Sequence, residues 1–194
     1  QRGAKKVYIT ARDTSKLADL GAKYGDKVRA LALDITKPEQ VACVASTAGD
    51  VTLLVNNAGI NRQRALIAAA ALDSAREEID TNYFGPLSMC RAFAPALQRN
   101  GGGAIVNMLS ILSRVSMPAM GSLCASKAAA LSMTQGVRAE LAKQHTLVIG
   151  VMPGAVDTDM AREFQGPEDP PIDVANAALD AAESGTNDVY PGGM

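Results

Sequence analysis

The sequence predicts an α/β fold: a doubly wound parallel sheet with helices on both faces. Three observations predict it. Short β-rich runs alternate with longer Ala-rich runs of helical period, the pattern of repeated βαβ units. One strand candidate, Val51–Val55 (VTLLV), is apolar almost throughout, as expected of a parallel strand covered on both faces. The 194 residues, 47% hydrophobic and 20% charged, suit one globular domain, taken here as residues 1–194.

In chain order, Lys6–Thr10 (KVYIT) is the first strand candidate, and Thr14–Tyr24 follows with a loose helical stripe of Leu17, Leu20 and Ala22. Val28–Leu33 is a second strand ending at Asp34, and Pro38–Thr47 is a helix. After the Val51–Val55 strand comes a long helical region, Ser74–Gln98, which Gly85-Pro86 should interrupt and Gly101–Gly103 should end. Ala104–Leu109 is a strand, Gly121–Lys143 a long helix, and Leu147–Met152 a strand stopped by Pro153-Gly154. Ile172–Ser184 is a helix, and Asp188–Tyr190 a short last strand. Right-handed crossovers between parallel strands place the helices on both faces. The Pro-rich stretch Gln165–Pro171 reads as a surface loop.

Composition narrows the function. Nineteen basic against twenty acidic residues give a net charge of -1, which excludes a broad electrostatic grip on nucleic acid or anionic lipid. No uncharged apolar run reaches the roughly 18 residues of a membrane span. Cys43, Cys90 and Cys124 are widely spaced, form no CxxC pair, and have only His145 for company, so neither a metal site nor a disulfide framework is expected. They read as buried small hydrophobes in a reducing compartment, and no secretory signal is visible; the expected location is cytoplasmic.

Ligands of open α/β sheets bind at the carboxyl ends of the strands. Those ends carry Ala11-Arg12-Asp13, Asp34-Ile35, Asn56-Asn57-Ala58-Gly59, Ser110, and Pro153-Gly154-Ala155-Val156-Asp157-Thr158. Small and polar residues thus collect along one edge, although any such fold needs turn residues there.

Taken together, these segments resemble the short-chain dehydrogenase/reductase family over nearly the whole chain. Asn56-Asn57-Ala58-Gly59 is similar to its NNAG motif, and Asn82 to its helix asparagine. Ser110 falls where its serine belongs, and Ser126-Lys127 resembles the end of its YxxxK motif. Pro153 through Met160 is similar to the segment after its sixth strand. The resemblance implies a Rossmann-type sheet and hydride transfer between a nicotinamide cofactor and an alcohol or carbonyl substrate. Asn82, Ser110 and Lys127 would serve catalysis. Lys127 would also hold the cofactor, with Arg12, Asp34, Ile35, Asn56, Ala58, Gly59, Pro153, Gly154, Val156 and Thr158. The family's acidic ribose-binding position is Ala11 here, followed by Arg12, and a guanidinium suits a 2′-phosphate, so NADP is expected ahead of NAD.

Two departures qualify the resemblance. Counting back four from Lys127, the tyrosine position holds Leu123, thirteen residues after Ser110. Leucine has no proton to give, and losing a positioned general acid commonly costs ~10²–10⁴-fold in rate. Ser122 points about 100° away on a helix, and nothing in the sequence aims the Tyr83 hydroxyl at the site. An introduced substitution, a natural loss of activity and an error in the recorded sequence all fit Leu123. The alternative function is therefore a catalytically impaired cofactor-binding protein of the same fold. The second departure is the start: the family's opening strand, TGxxxGxG loop and helix are not in this sequence, and Gln1–Ala4 resembles the tail of that helix. The expectation is about 30 further N-terminal residues, the size of one βα half-unit. Their strand would lie between those at Lys6–Thr10 and Val51–Val55.

The segment between Met160 and Ile172, a substrate lid in the family, is short, which suggests an open site. The apolar helices Pro86–Leu97 and Ala128–Leu141 either pair between subunits, giving a homodimer or homotetramer, or pack within their own domain.

Overall fold

A computed structural model describes residues 2–162 and 164–192; Gln1, to which part of the N-terminal expectation attaches, lies outside the described residues. Strands β1 (Val7–Ala11), β2 (Val28–Ala32), β3 (Leu53–Asn56), β4 (Gly103–Met108), β5 (Thr146–Val151) and β6 (Asp188–Val189) are all parallel to their neighbours. They form two hydrogen-bonded groups, β1-β2 and β3-β4-β5-β6. Among the described residues, no strand hydrogen bonds join β1 to β3, and Leu53 and Val55 on one face of β3 are exposed, so this strand is not covered on both faces as its apolar run predicts.

The helices are α1 (Ala18–Tyr24), α2 (Pro38–Thr47), α3 (Asp73–Ile79), α4 (Gly85–Arg99), α5 (Gly121–Leu141) and α6 (Pro171–Ser184). The two-residue side-chain period of the central strands sorts them onto the two faces. Ile105 and Val148 point to one face, where Val41 and Val44 of α2 and Met89, Phe93 and Leu97 of α4 cover them. Val106, Ile149 and Val151 point to the other, against Val174, Ala178 and Ala181 of α6. Doubly covered β4 and β5 are accordingly apolar on both sides. The interior of Pro86–Leu97 thus packs within its own domain.

Three expectations change. The interruption expected near Gly85-Pro86 is a π turn, Asp80–Phe84, that joins α3 to α4 without a break, and Pro86 sits in the first turn of α4, where a missing N–H costs little. Thr14–Tyr24 is a 3-10 turn (Thr14–Leu17) followed by α1, and no residue of either is buried. Cys43 is exposed, unlike Cys90 and Cys124, because it lies on the outer side of α2 while Val41 and Val44 face the core. Gly101–Gly103 does follow the end of α4 at Arg99, all three glycines in left-handed conformation, and the need for glycine at the start of β4 is steric. Gly103 has φ +82°, and a Cβ there would lie 2.1 Å from the backbone oxygen of Thr52.

One polar chain threads the core. Asn56 Nδ2 donates to Asn107 Oδ1 at 2.8 Å, Asn107 Nδ2 donates to Thr134 Oγ1 at 2.9 Å, and Thr134 Oγ1 donates to Ala130 O at 2.7 Å. It ties the carboxyl ends of β3 and β4 to α5, and so fixes the edge that carries the candidate site. Burial pushes the neighbouring Cys90 thiol up to about 11, so it stays protonated.

Candidate active site

The carboxyl ends of β3, β4 and β5 converge on a cavity of about 870 Å³. Its wall brings together Ser110, Leu123, Lys127, Pro153, Gly154, Val156 and Thr158, which lie far apart in sequence. Leu109, Leu112, Met117, Met160 and Phe164 make much of the remaining lining apolar.

Each polar side chain is placed by its own element. Ser110 leaves β4 in an extended conformation and caps a 3-10 turn, its Oγ accepting from Leu112 N at 3.2 Å. That contact uses an oxygen lone pair and leaves the hydroxyl hydrogen available. Lys127 lies one turn beyond Leu123 on α5, so the two share a helix face. Its Nζ donates to Met108 O at 2.9 Å, at the end of β4. Burial of the ammonium lowers its pKa to about 8.

Asn82 sits in the π turn, 2% exposed. Its Oδ1 accepts from Ile60 N at 2.9 Å, and its Nδ2 donates to Ile60 O at 2.9 Å and to Ser126 Oγ at 3.0 Å. Ser126 in turn donates to Leu123 O at 2.8 Å. Asn82 therefore clips the loop after β3 to the turn of α5 that separates Leu123 from Lys127. Gly59 lies in that loop. A Cβ at Gly59 would stand 3.2 Å from Asn82 Oδ1 and 3.7 Å from Lys127 Nζ, so glycine keeps open a cradle beside two polar groups.

Other expected site residues lie outside the cavity lining. Asn56 turns its side chain inward to Asn107, and Ala58 is exposed on the adjoining loop. Arg12 and Asp34 lie at the ends of β1 and β2. Asp34 is held below the usual carboxylate range by hydrogen bonds from Thr36 Oγ1 and N–H, and the charge of Arg12 adds to this. Ile35 packs its side chain against Gly85 at the start of α4. Leu123, by contrast, does line the cavity and is 6% exposed. Tyr83 stacks edge-on against Phe84, ring centres 4.8 Å apart, and does not line the cavity.

The sequence reading missed several contributors. Asn61 and Gln63 line the cavity, and Asn61 Oδ1 accepts from Gln63 N at 2.9 Å, which supports a left-handed Gln63 (φ 49°). Glu78, fully buried on α3, accepts from Arg62 N at 2.7 Å through Oε1, while its Oε2 has no partner among the described residues. Ser122 donates its hydroxyl to the Arg64 carbonyl oxygen at 3.5 Å. The only signal for Glu78 was its place one turn before Asn82, on the same helical face.

A family model for short chain dehydrogenases matches residues 1–169. The chain belongs to the short-chain dehydrogenase family. Among solved relatives, the enzyme is similar to a short chain dehydrogenase from Burkholderia cenocepacia J2315 in complex with NADP. The identity is 50% and the TM-score 0.94, over 100% of this chain and 79% of that one. It is 31% identical to an uncharacterized oxidoreductase of Staphylococcus saprophyticus, over 92% of this chain and 80% of the relative. It is 30% identical to a probable galactose dehydrogenase of Rhizobium meliloti, over 84% of this chain and 66% of the relative. The chain is thus an oxidoreductase by family, with the Rossmann-type α/β architecture of those structures. Among the described residues, no helix is long and apolar enough to cross a membrane, and no cluster of three His, Cys, Asp or Glu side chains could hold a metal.

Proposed function

We propose that this chain, read as one domain, forms the substrate side and part of the cofactor side of an NADP(H)-linked short-chain oxidoreductase. Its substrate class is alcohols and carbonyl compounds. The observation that carries this is the convergence of Ser110, Lys127 and the Pro153–Thr158 segment on one cavity, with Asn82 and Gly59 immediately behind. The bound nicotinamide would supply or accept the hydride.

The residues present fit such a cofactor. The cradle at Gly59, beside the Lys127 ammonium and the Asn82 carboxamide, suits a hydroxyl-rich ribose, and Pro153, Gly154, Val156 and Thr158 line the cavity that Lys127 also lines. Arg12, exposed beside Asp34, offers a guanidinium to a 2′-phosphate, while Asp34 and Ile35 flank the adenine. The NADP complex of the Burkholderia relative supports the same preference over NAD. Asn56 and Ala58 contribute through the shape of the loop rather than through side-chain contact, since the Asn56 amide is committed to Asn107. At the substrate, the Ser110 hydroxyl donates to the reacting oxygen, and Asn82 holds the loop and helix in register. A homo-oligomer in the cytoplasm is the assembly and setting we assign to it.

A specific observation favours the second reading, a cofactor-binding protein with impaired turnover. Leu123 fills the cavity wall one turn from Lys127, where the proton donor would stand. The test compares the full-length protein, with its N-terminal glycine-rich segment, and its Leu123→Tyr variant, following NADPH fluorescence for binding and absorbance for turnover with a panel of carbonyls. Both should bind NADPH, and the tyrosine form should turn over ~10²–10⁴-fold faster. Equal turnover would place the proton donor elsewhere. Failure of both to bind NADPH would refute the cofactor assignment.

A further inference from the structure

Lys127 has an unusual setting for a lysine. Its Nζ has one hydrogen bond among the described residues, to the backbone oxygen of Met108. Burial is the whole cause of its lowered pKa of about 8, so no carboxylate among the described residues compensates its charge. Asp169 is the other acid or base lining the cavity, and it packs against Gly192 instead. Glu78, on the helix beside α5, is turned to the N–H of Arg62. One turn away, Leu123 offers no hydroxyl. A lysine desolvated against apolar walls is a nucleophile rather than a permanent cation.

We propose that Lys127 is a carbonyl-capturing amine: its Nζ, in the wall of an apolar cavity and without an anionic partner, forms a reversible imine with small apolar aldehydes that enter there. The lone pair of neutral Nζ attacks the carbonyl carbon. The new C–N bond forms as the π electrons move to oxygen, which gains a proton while nitrogen loses one, giving a carbinolamine. A second proton transfer expels that oxygen as water and leaves the C=N bond; hydrolysis runs the same steps backward. Nothing is oxidised or reduced, so no co-reactant is required. Ser110 lines the same cavity with its hydroxyl hydrogen unused by Leu112, and it supplies a donor for the aldehyde oxygen. Leu109, Leu112, Met117, Leu123 and Met160 favour an apolar tail, and about 870 Å³ admits a substituted aromatic ring.

This activity needs neither hydride transfer nor a tyrosine, so it stands apart from the oxidoreductase reading. At pH 7 a lysine titrating at about 8 is roughly 9% free amine, against roughly 0.03% for an ordinary surface lysine.

The experiment incubates the purified protein, without added cofactor, with benzaldehyde and sodium cyanoborohydride near pH 7, then maps N-benzyl-lysine by peptide mass spectrometry. Mapping the unaltered protein requires no variant to fold. Labelling of Lys127 at least about ten-fold above every other lysine is expected, given the difference in free amine. Equal labelling of all lysines, or none at Lys127, overturns the proposal. A parallel sample with saturating NADP separates the two readings. Protection of Lys127 supports both the capture and the cofactor contact. Undiminished labelling supports the capture and counts against Lys127 as a cofactor contact.

Discussion

Replacing Thr134 by valine tests whether the buried Asn56–Asn107–Thr134 chain holds the site edge. Thr134 is fully buried in α5, and valine nearly matches its shape, so the change opens almost no cavity. What it removes is the acceptor of Asn107 Nδ2, which has no other partner among the described residues. Ala130 O keeps its helical backbone bond, and the Asn56–Asn107 bond survives. The net change is one orphaned amide donor in the core, which costs about 1–3 kcal/mol. For a domain of this size that lowers Tm by roughly 2–4 °C per kcal/mol. Urea unfolding should show a lower midpoint with an unchanged slope. Asn107→Ala should cost more, because it leaves Asn56 Nδ2 with only the weak Cys90 Sγ acceptor at 3.5 Å and opens a void. The double variant should lose less than the two singles combined, since both cut one chain. A Thr134→Val protein within about 0.5 kcal/mol of the parent would refute the argument, because surface substitutions away from such features already span that range.

Other substitutions read out separate parts of the structure. Gly103→Ala meets both a left-handed φ and the backbone oxygen of Thr52, so it should cost at least about 2 kcal/mol and sharply reduce soluble yield. Glu78→Ala removes the acceptor of Arg62 N, and amide exchange at Ile60 through Arg62 should quicken while the strands stay protected; unchanged exchange there would show that the carboxylate does not hold the loop. The lowered pKa of Lys127 carries a sign: the fold penalises its charged form, so the native state releases this proton near pH 8, while the unfolded chain keeps it to about 10.4. Stability attributable to this group should therefore rise between those pH values, and Lys127→Met should flatten the rise in urea midpoints measured across that window.

How much was legible in the sequence depended on the range over which each feature is determined. Pro38–Thr47 was placed to the residue because its start is set by a proline at the first helical position, a local fact. The strands slipped by one or two residues, since their ends depend on which neighbour pairs with them. Asn82, Ser110 and Lys127 were singled out by their resemblance to motifs, and the structure adds the hydrogen-bond partners of each side chain. Glu78, by contrast, carried no signal beyond its place one turn before Asn82. In the run Arg76-Glu77-Glu78 it looks like any solvated acid, and only the loop from Ile60 to Arg64, folding back over α3, buries it. The pairing of Asn107 with Thr134 likewise joins residues 27 apart across a strand and a helix, which no periodicity encodes.

The π turn at Asp80–Phe84 has a consequence for how the site can change. An extra residue in a helix offsets everything before it by about 100° relative to everything after. Glu78 and Asn82 face the loop while α4 presents Met89, Phe93 and Leu97 to the core, and the two faces are phased to each other by that single wider turn. Deleting Thr81 would let an unbroken α-helix form with all its backbone bonds intact, yet one of the two faces would have to rotate away. The helix would tolerate the deletion and the site would not, so the residue that sets the angular phase of this enzyme's loop is one whose side chain need do nothing at all.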